Sequence, residues 1–126
     1  MSDLAGTFVV LDAAQRAACV EVTPDIYERL DRDFDGFRGR TLVARYDFTE
    51  DWPTWEMHPA GDEVVVLLWG SADLVLDRGG RHEVVALAKP GEFVIVPKGM
   101  WHTARIARAA SMLFITPGEG TRNESR

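Results

Sequence analysis

From residue 41 onward, apolar and polar positions alternate in short runs separated by glycine and proline. The runs Thr41–Phe48, Glu63–Trp69, Asp73–Asp77, His82–Leu87, Phe93–Val96, His102–Ile106 and Ser111–Thr116 are rich in β-branched and aromatic residues. Such runs suit half-buried strands. Gly79-Gly80, Pro90-Gly91 and Pro97-Lys98-Gly99 supply the turns. Short strands at regular spacing predict an all-β, antiparallel sandwich or barrel.

One earlier segment has helical periodicity. Ile26, Leu30 and Phe34 make one apolar stripe, with Thr23 as N-cap, Pro24 at the first helical position and Gly36 or Gly39 as terminator. This predicts a helix over 24–34. A single domain over 1–126 is expected, divided into an N-terminal strand and helix region (1–40), a barrel core (41–117) and a polar, mobile tail (118–126).

One run breaks the alternation. VVVLLW at 64–69 is apolar on both faces, which a strand with one solvated face should not be. The helix, the N-terminal strand or a second subunit must cover the outer side, and a homodimer is expected.

Composition narrows the classes of function. The formal charge is −6, from 14 basic and 20 acidic residues, with no cluster of Lys or Arg. Nucleic acid and anionic membranes are therefore not expected partners. The single cysteine, Cys19, excludes an intramolecular disulfide and a thiolate metal cluster. No leader or membrane span is read in the sequence, so a cytoplasmic location is expected.

The polar residues that matter lie in WEMHPAGDE (55–63) and PKGMWH (97–102). Glu56 and His58, two apart on an extended segment, share a face. A turn at Pro59–Asp62 brings Glu63 back beside them, at the head of a strand whose Val65, Leu67 and Trp69 point the same way. A carboxylate facing an apolar interior needs a cation, a hydrogen-bond partner or solvent. His102 arrives from a distant strand. Two imidazoles and a carboxylate are a common ligand set for Fe, Mn, Ni or Zn, and leave coordination positions free.

The motifs resemble those of the cupin superfamily of small jelly-roll barrels. Glu56-Met57-His58, Glu63 and Gly70 fit its first motif, with glutamate in place of the first histidine. Gly91, Pro97, Gly99 and His102 fit the second at full spacing. Glu50 and Ile106 also depart from the pattern, replacing a glycine and an asparagine. The resemblance implies an antiparallel double-stranded β-helix holding a divalent transition metal (Fe, Mn or Zn, with Ni as a further candidate). Its site would be built from Glu56, His58, Glu63 and His102. Glu56 either ligates or acts as a catalytic general base. With two carboxylates the centre would be formally neutral, and so a weaker Lewis acid than a three-histidine site.

Val65, Leu67, Phe93, Ile95, Met100 and Phe114 are expected to line an apolar pocket, with Arg45 or Tyr46 as a polar handle. Trp55 and Trp101 should face away from the metal, and His82 should be solvent-exposed. The function implied is metal-dependent oxygenation or isomerisation of a small organic substrate. The alternative is non-catalytic binding or sensing of a small ligand or metal.

Overall fold

A computed structural model describes residues 2–126. Its strands are β1 (Thr7–Leu11), β2 (Ala17–Glu21), β3 (Thr41–Phe48), β4 (Thr54–Met57), β5 (Glu63–Gly70), β6 (Ala72–Arg78), β7 (Arg81–Leu87), β8 (Phe93–Val96), β9 (His102–Arg105), β10 (Ala110–Thr116) and β11 (Arg122–Ser125). They form two antiparallel sheets: a six-stranded one in the order β2-β1-β3-β10-β5-β8, and a five-stranded one in the order β11-β4-β9-β6-β7. The seven strands expected from alternation are all present, within a residue at each end. The fold class is the predicted all-β jelly roll.

The core lies between the sheets. Val65, Leu67, Leu74 and Ala104 are wholly buried there, with Val94, Val96 and Met112 beside them. Each of the larger aliphatic side chains contributes about 1.5–3 kcal/mol by leaving water. Gly70 is required where β5 turns towards β6. It has φ +82, and a Cβ there would meet the Ala109 carbonyl oxygen at 2.2 Å.

The helix, α1 (Ile26–Asp33), starts two residues later than predicted. Thr23 donates its hydroxyl to Asp25 Oδ1 at 2.6 Å, so it does not cap the helix. It ends at Asp33 with Phe34 as C-cap, before either predicted glycine; Gly36, at φ 65, lies in the next turn, which folds Phe37 back into the core. Ile26 and Leu30 pack with Phe8, Val10, Leu42 and Ala44. These are the inward residues of β1 and β3, so α1 packs on the inner face of the six-stranded sheet at its β1–β3 end.

That placement decides what covers the outer face of β5. Within the chain, neither the helix nor β1 does. Register pairs Val64 with Ile95 and Val66 with Phe93, and sets Leu113 and Ile115 of β10 on the other flank. Phe93 and Ile95 are 59% and 51% exposed. Their expected place in the pocket is corrected here. Val96 pairs with Glu63, so Val94 and Val96 carry the inward phase of β8, and a shift of one residue reverses the face. Trp69 is likewise turned outward, at 61% exposure. A bulge, where the register skips Leu68 between Ser111 and Met112, breaks its alternation with Leu67.

The tail also differs from expectation. Residues 122–125, predicted to be part of a mobile segment, form β11 and pair with β4 from Met57 to Thr54. Their side chains are exposed. Backbone pairing makes the strand, and an apolar pattern could not have announced it. No helix among the described residues is long and apolar enough to cross a membrane.

Candidate metal centre

Two turns clamp each other beneath the site. The Asp62 carboxylate accepts the Lys98 N–H at 2.8 Å, and the Gly99 N–H donates to the His58 carbonyl at 2.9 Å. Gly99 takes φ 77 to make the second turn, the left-handed region that glycine enters without steric cost. Pro-Ala-Gly-Asp and Pro-Lys-Gly thus form one braced unit. Strand pairing adds the opposition of Glu56 to His102 across β4 and β9.

His58, Glu63 and His102 converge. Each offers one ligand atom, all within 4.8 Å of one another, and all three residues are buried. His58 Nε2 lies 3.2 Å from Glu63 Oε2, and His102 Nε2 lies 3.2 Å from Glu63 Oε1. Despite those distances, His58 Nε2, His102 Nε2 and Glu63 Oε1 have no hydrogen-bond partner. The atoms are close but not aligned as donor and acceptor. Buried polar atoms left this way are costly, and a shared cation would satisfy all three at once.

The outer contacts fix the inner ones. Thr121 gives its hydroxyl proton to the Gly118 carbonyl (3.0 Å), so at 2.8 Å it accepts from His58 Nδ1. His102 Nδ1 donates to the Met100 carbonyl at 3.1 Å. With both Nδ1 atoms as donors, a neutral ring presents its Nε2 lone pair to the centre. This is how ligating histidines are oriented. Thr116 donates to Glu63 Oε2 at 2.6 Å. These residues therefore fit a divalent transition metal.

Burial alone would raise the Glu63 carboxyl, but the His102 and His58 imidazoles outweigh it and hold the group down at about 2. Desolvation opposes charging of His102, yet the Glu63 carboxylate beside it drives its basicity up.

Glu56 lines the same cavity but does not extend the cluster of mutually close donors. Desolvation, then the charge of Glu63, raises its carboxyl above the ordinary range. Tyr46 faces the cavity, while Arg45 turns outward to Asp47 (3.1 Å) and Ser111 (2.9 Å). Burial pushes the Tyr46 phenol well up, and its hydroxyl contacts that of Tyr27 from α1. Trp55 packs on the exposed His82, with ring centroids 5.1 Å apart, and Arg122 lies over Trp101. Both tryptophans are thus engaged away from His58, Glu63 and His102.

Sequence reasoning missed Thr116 and Thr121. Thr116 shares the inward phase of Met112 and Phe114 on β10, a signal that becomes readable once β10 is paired with β5. Thr121 has no such signal. Val65 and Leu67 are packed into the core, Met100 packs against it, and Phe114 of the expected pocket set lines the cavity.

No protein-family model and no curated protein matches the chain. Solved structures do. An oxalate oxidase superposes at TM-score 0.54, with 20% identity over 64% of this chain and 44% of that one. A hydroxypropylphosphonic acid epoxidase from S. wedmorenis gives 0.52, at 16% identity over 60% and 43%. A cupin-2 domain protein from Shewanella frigidimarina gives 0.51, at 20% identity over 68% and 71%. The chain therefore spans less than half of the two enzymes. The two facing antiparallel sheets and these superpositions agree on one architecture, and the chain has the cupin fold.

Proposed function

We propose that this chain is a metal-dependent enzyme acting on a small organic molecule in the barrel cavity. His58, Glu63 and His102 would hold one divalent transition metal. The observation that carries this reading is the trio of buried, unpartnered donor atoms, each on a side chain fixed by a hydrogen bond from outside the trio.

When bound, such an ion supplies Lewis acidity to a substrate oxygen, and a redox-active one supplies electron transfer as well. The chain's own residues do the rest. Glu56 stands in the cavity without belonging to the trio, and we assign it the proton-carrying role rather than that of a ligand. The Tyr27 and Tyr46 hydroxyls stand at the cavity as uncharged hydrogen-bonding groups. Isomerisation needs only the proton shift. Oxygenation needs iron or another redox-active metal.

The test is elemental analysis of purified protein with the Glu56→Gln and His102→Ala variants. About one metal per chain, kept in Glu56→Gln and lost in His102→Ala, is the expected result. Loss of metal in Glu56→Gln would make Glu56 a ligand. Absence of metal after reconstitution would overturn the enzymatic reading.

The apolar face formed by the half-buried Val64 and Val66 and the exposed Phe93 and Ile95 supports a second proposal, that two copies of the chain pair through it. Sedimentation of the native protein tests this, and a monomer at tens of micromolar would refute it.

A further inference from the structure

The cavity beside the trio has a volume of about 940 Å³, ample for a small organic molecule. Its wall has an unusual chemistry. Six aromatic residues line it: Tyr27, Phe37, Tyr46, Phe48, Trp52 and Phe114. Tyr46 stacks on Phe48 with centroids 6.1 Å apart, and Phe114 meets Tyr46 edge-on at 5.8 Å. Trp52 is buried against His102 at 6.0 Å, and its indole N–H has no partner in the fold.

The charged residues on the wall are all acidic. Glu56 and Glu63 lie inside, while the exposed Asp31, Asp47, Glu50 and Asp51 stand at the rim, Asp47 paired with Arg45 and Asp51 accepting the Ile106 N–H; among the described residues no Lys or Arg lines the cavity. The nearby cations are engaged elsewhere. Arg45 binds Asp47 and Ser111 on the outer side, and Arg126 donates to the Trp52 carbonyl at 2.8 Å.

We infer that the cavity takes an uncharged or cationic molecule with a flat aromatic body, and discriminates against carboxylates and other small anions. This rests on the cavity being the substrate site proposed above, and it narrows the substrate class. An anion entering here would leave water without a guanidinium or ammonium to receive it. The surrounding carboxylates would repel it as well. A divalent ion on the trio, with Glu63 as its one carboxylate ligand, would carry a net positive charge and draw anions, so the preference set by the walls is read on the metal-free protein. An aromatic ligand finds stacking partners on several sides, and a cation gains from the ring faces.

Three probes of one shape and different charge test this: benzamide, benzamidine and benzoate. Binding is measured by calorimetry and ligand-observed NMR, first on metal-free protein and then on zinc-loaded protein. Benzamide and benzamidine should bind at least about tenfold more tightly than benzoate in the metal-free form. Replacing the exposed rim carboxylate, Glu50→Arg, should strengthen benzoate and weaken benzamidine without disturbing the fold.

Benzoate equal to or tighter than benzamide on metal-free protein would overturn the inference. So would no binding of any probe at millimolar concentration, or a Glu50→Arg variant that leaves the ranking unchanged. Zinc uptake is scored separately. The ranking without zinc uptake would sink the metal reading and keep this one, and zinc uptake without the ranking would do the reverse.

Discussion

The two faces of β5 are made from nearly the same amino acids and have opposite fates. Val65 and Leu67 on the inner face are wholly buried, and Glu63 heads the same row at the candidate metal site. Val64 and Val66 on the outer face are half-buried, and Leu68 is 40% exposed. Hydrophobicity does not distinguish them. What differs is the opposing surface. The inner face meets the second sheet, while among the described residues no sheet or helix covers the outer face. An apolar pattern says that a surface wants cover, and only the assembled fold says whether the chain itself provides it.

Mutations can break this contrast in order of expected effect. Glu63→Ala removes the shared partner of two buried imidazoles. It should abolish metal uptake and destabilise the metal-free protein by about 3–5 kcal/mol. Chemical denaturation with parallel metal analysis checks both, and a variant with native stability would mean that the trio is not electrostatically coupled. Next, Leu67→Ala should lower stability by about 2–5 kcal/mol through cavity formation, whereas Leu68→Ala next to it should change it by less than about 0.5 kcal/mol. Equal shifts in denaturation midpoint would show that the outer face is as deeply buried in solution as the inner one.

Thr121→Val should have a smaller effect on the fold, about 1 kcal/mol. It removes the acceptor that orients His58 Nδ1, so metal affinity should fall about 10–100-fold. A competition titration against a chelator reads this directly, and unchanged affinity would remove Thr121 from the centre. Phe93→Ser combined with Ile95→Thr should change the stability of the isolated chain least of all. Under the pairing proposal it shifts sedimentation towards the monomer. Unaltered sedimentation with a native dimer would place the interface elsewhere.

The barrel strands and the convergence of His58, Glu63 and His102 were legible because their signals are local. Alternation, turn residues and the spacing of two motifs lie within short stretches, and period-two geometry turns them into faces. Phe93, Ile95 and Trp69 were misplaced because a strand's phase depends on its pairing partner and on bulges, which no local pattern encodes. The polar tail escaped notice because β11 is held by backbone pairing with β4 rather than by an apolar face of its own. Glu56 was read as a ligand or a base from its place in the motif. The fold leaves it in the cavity outside the close trio, so the choice between those roles falls to experiment.

The contacts that finish the centre join residues far apart in the chain: Lys98 to Asp62 across 36 positions, Thr116 to Glu63 across 53, and Thr121 to His58 across 63. Closing loops of this length is slow compared with local pairing. No short fragment of the chain can present the three donors together, so the centre should be among the last parts to form during folding. A metal would then leave the rate of refolding almost unchanged and slow unfolding instead, acting as a latch on a finished barrel rather than as a seed for it.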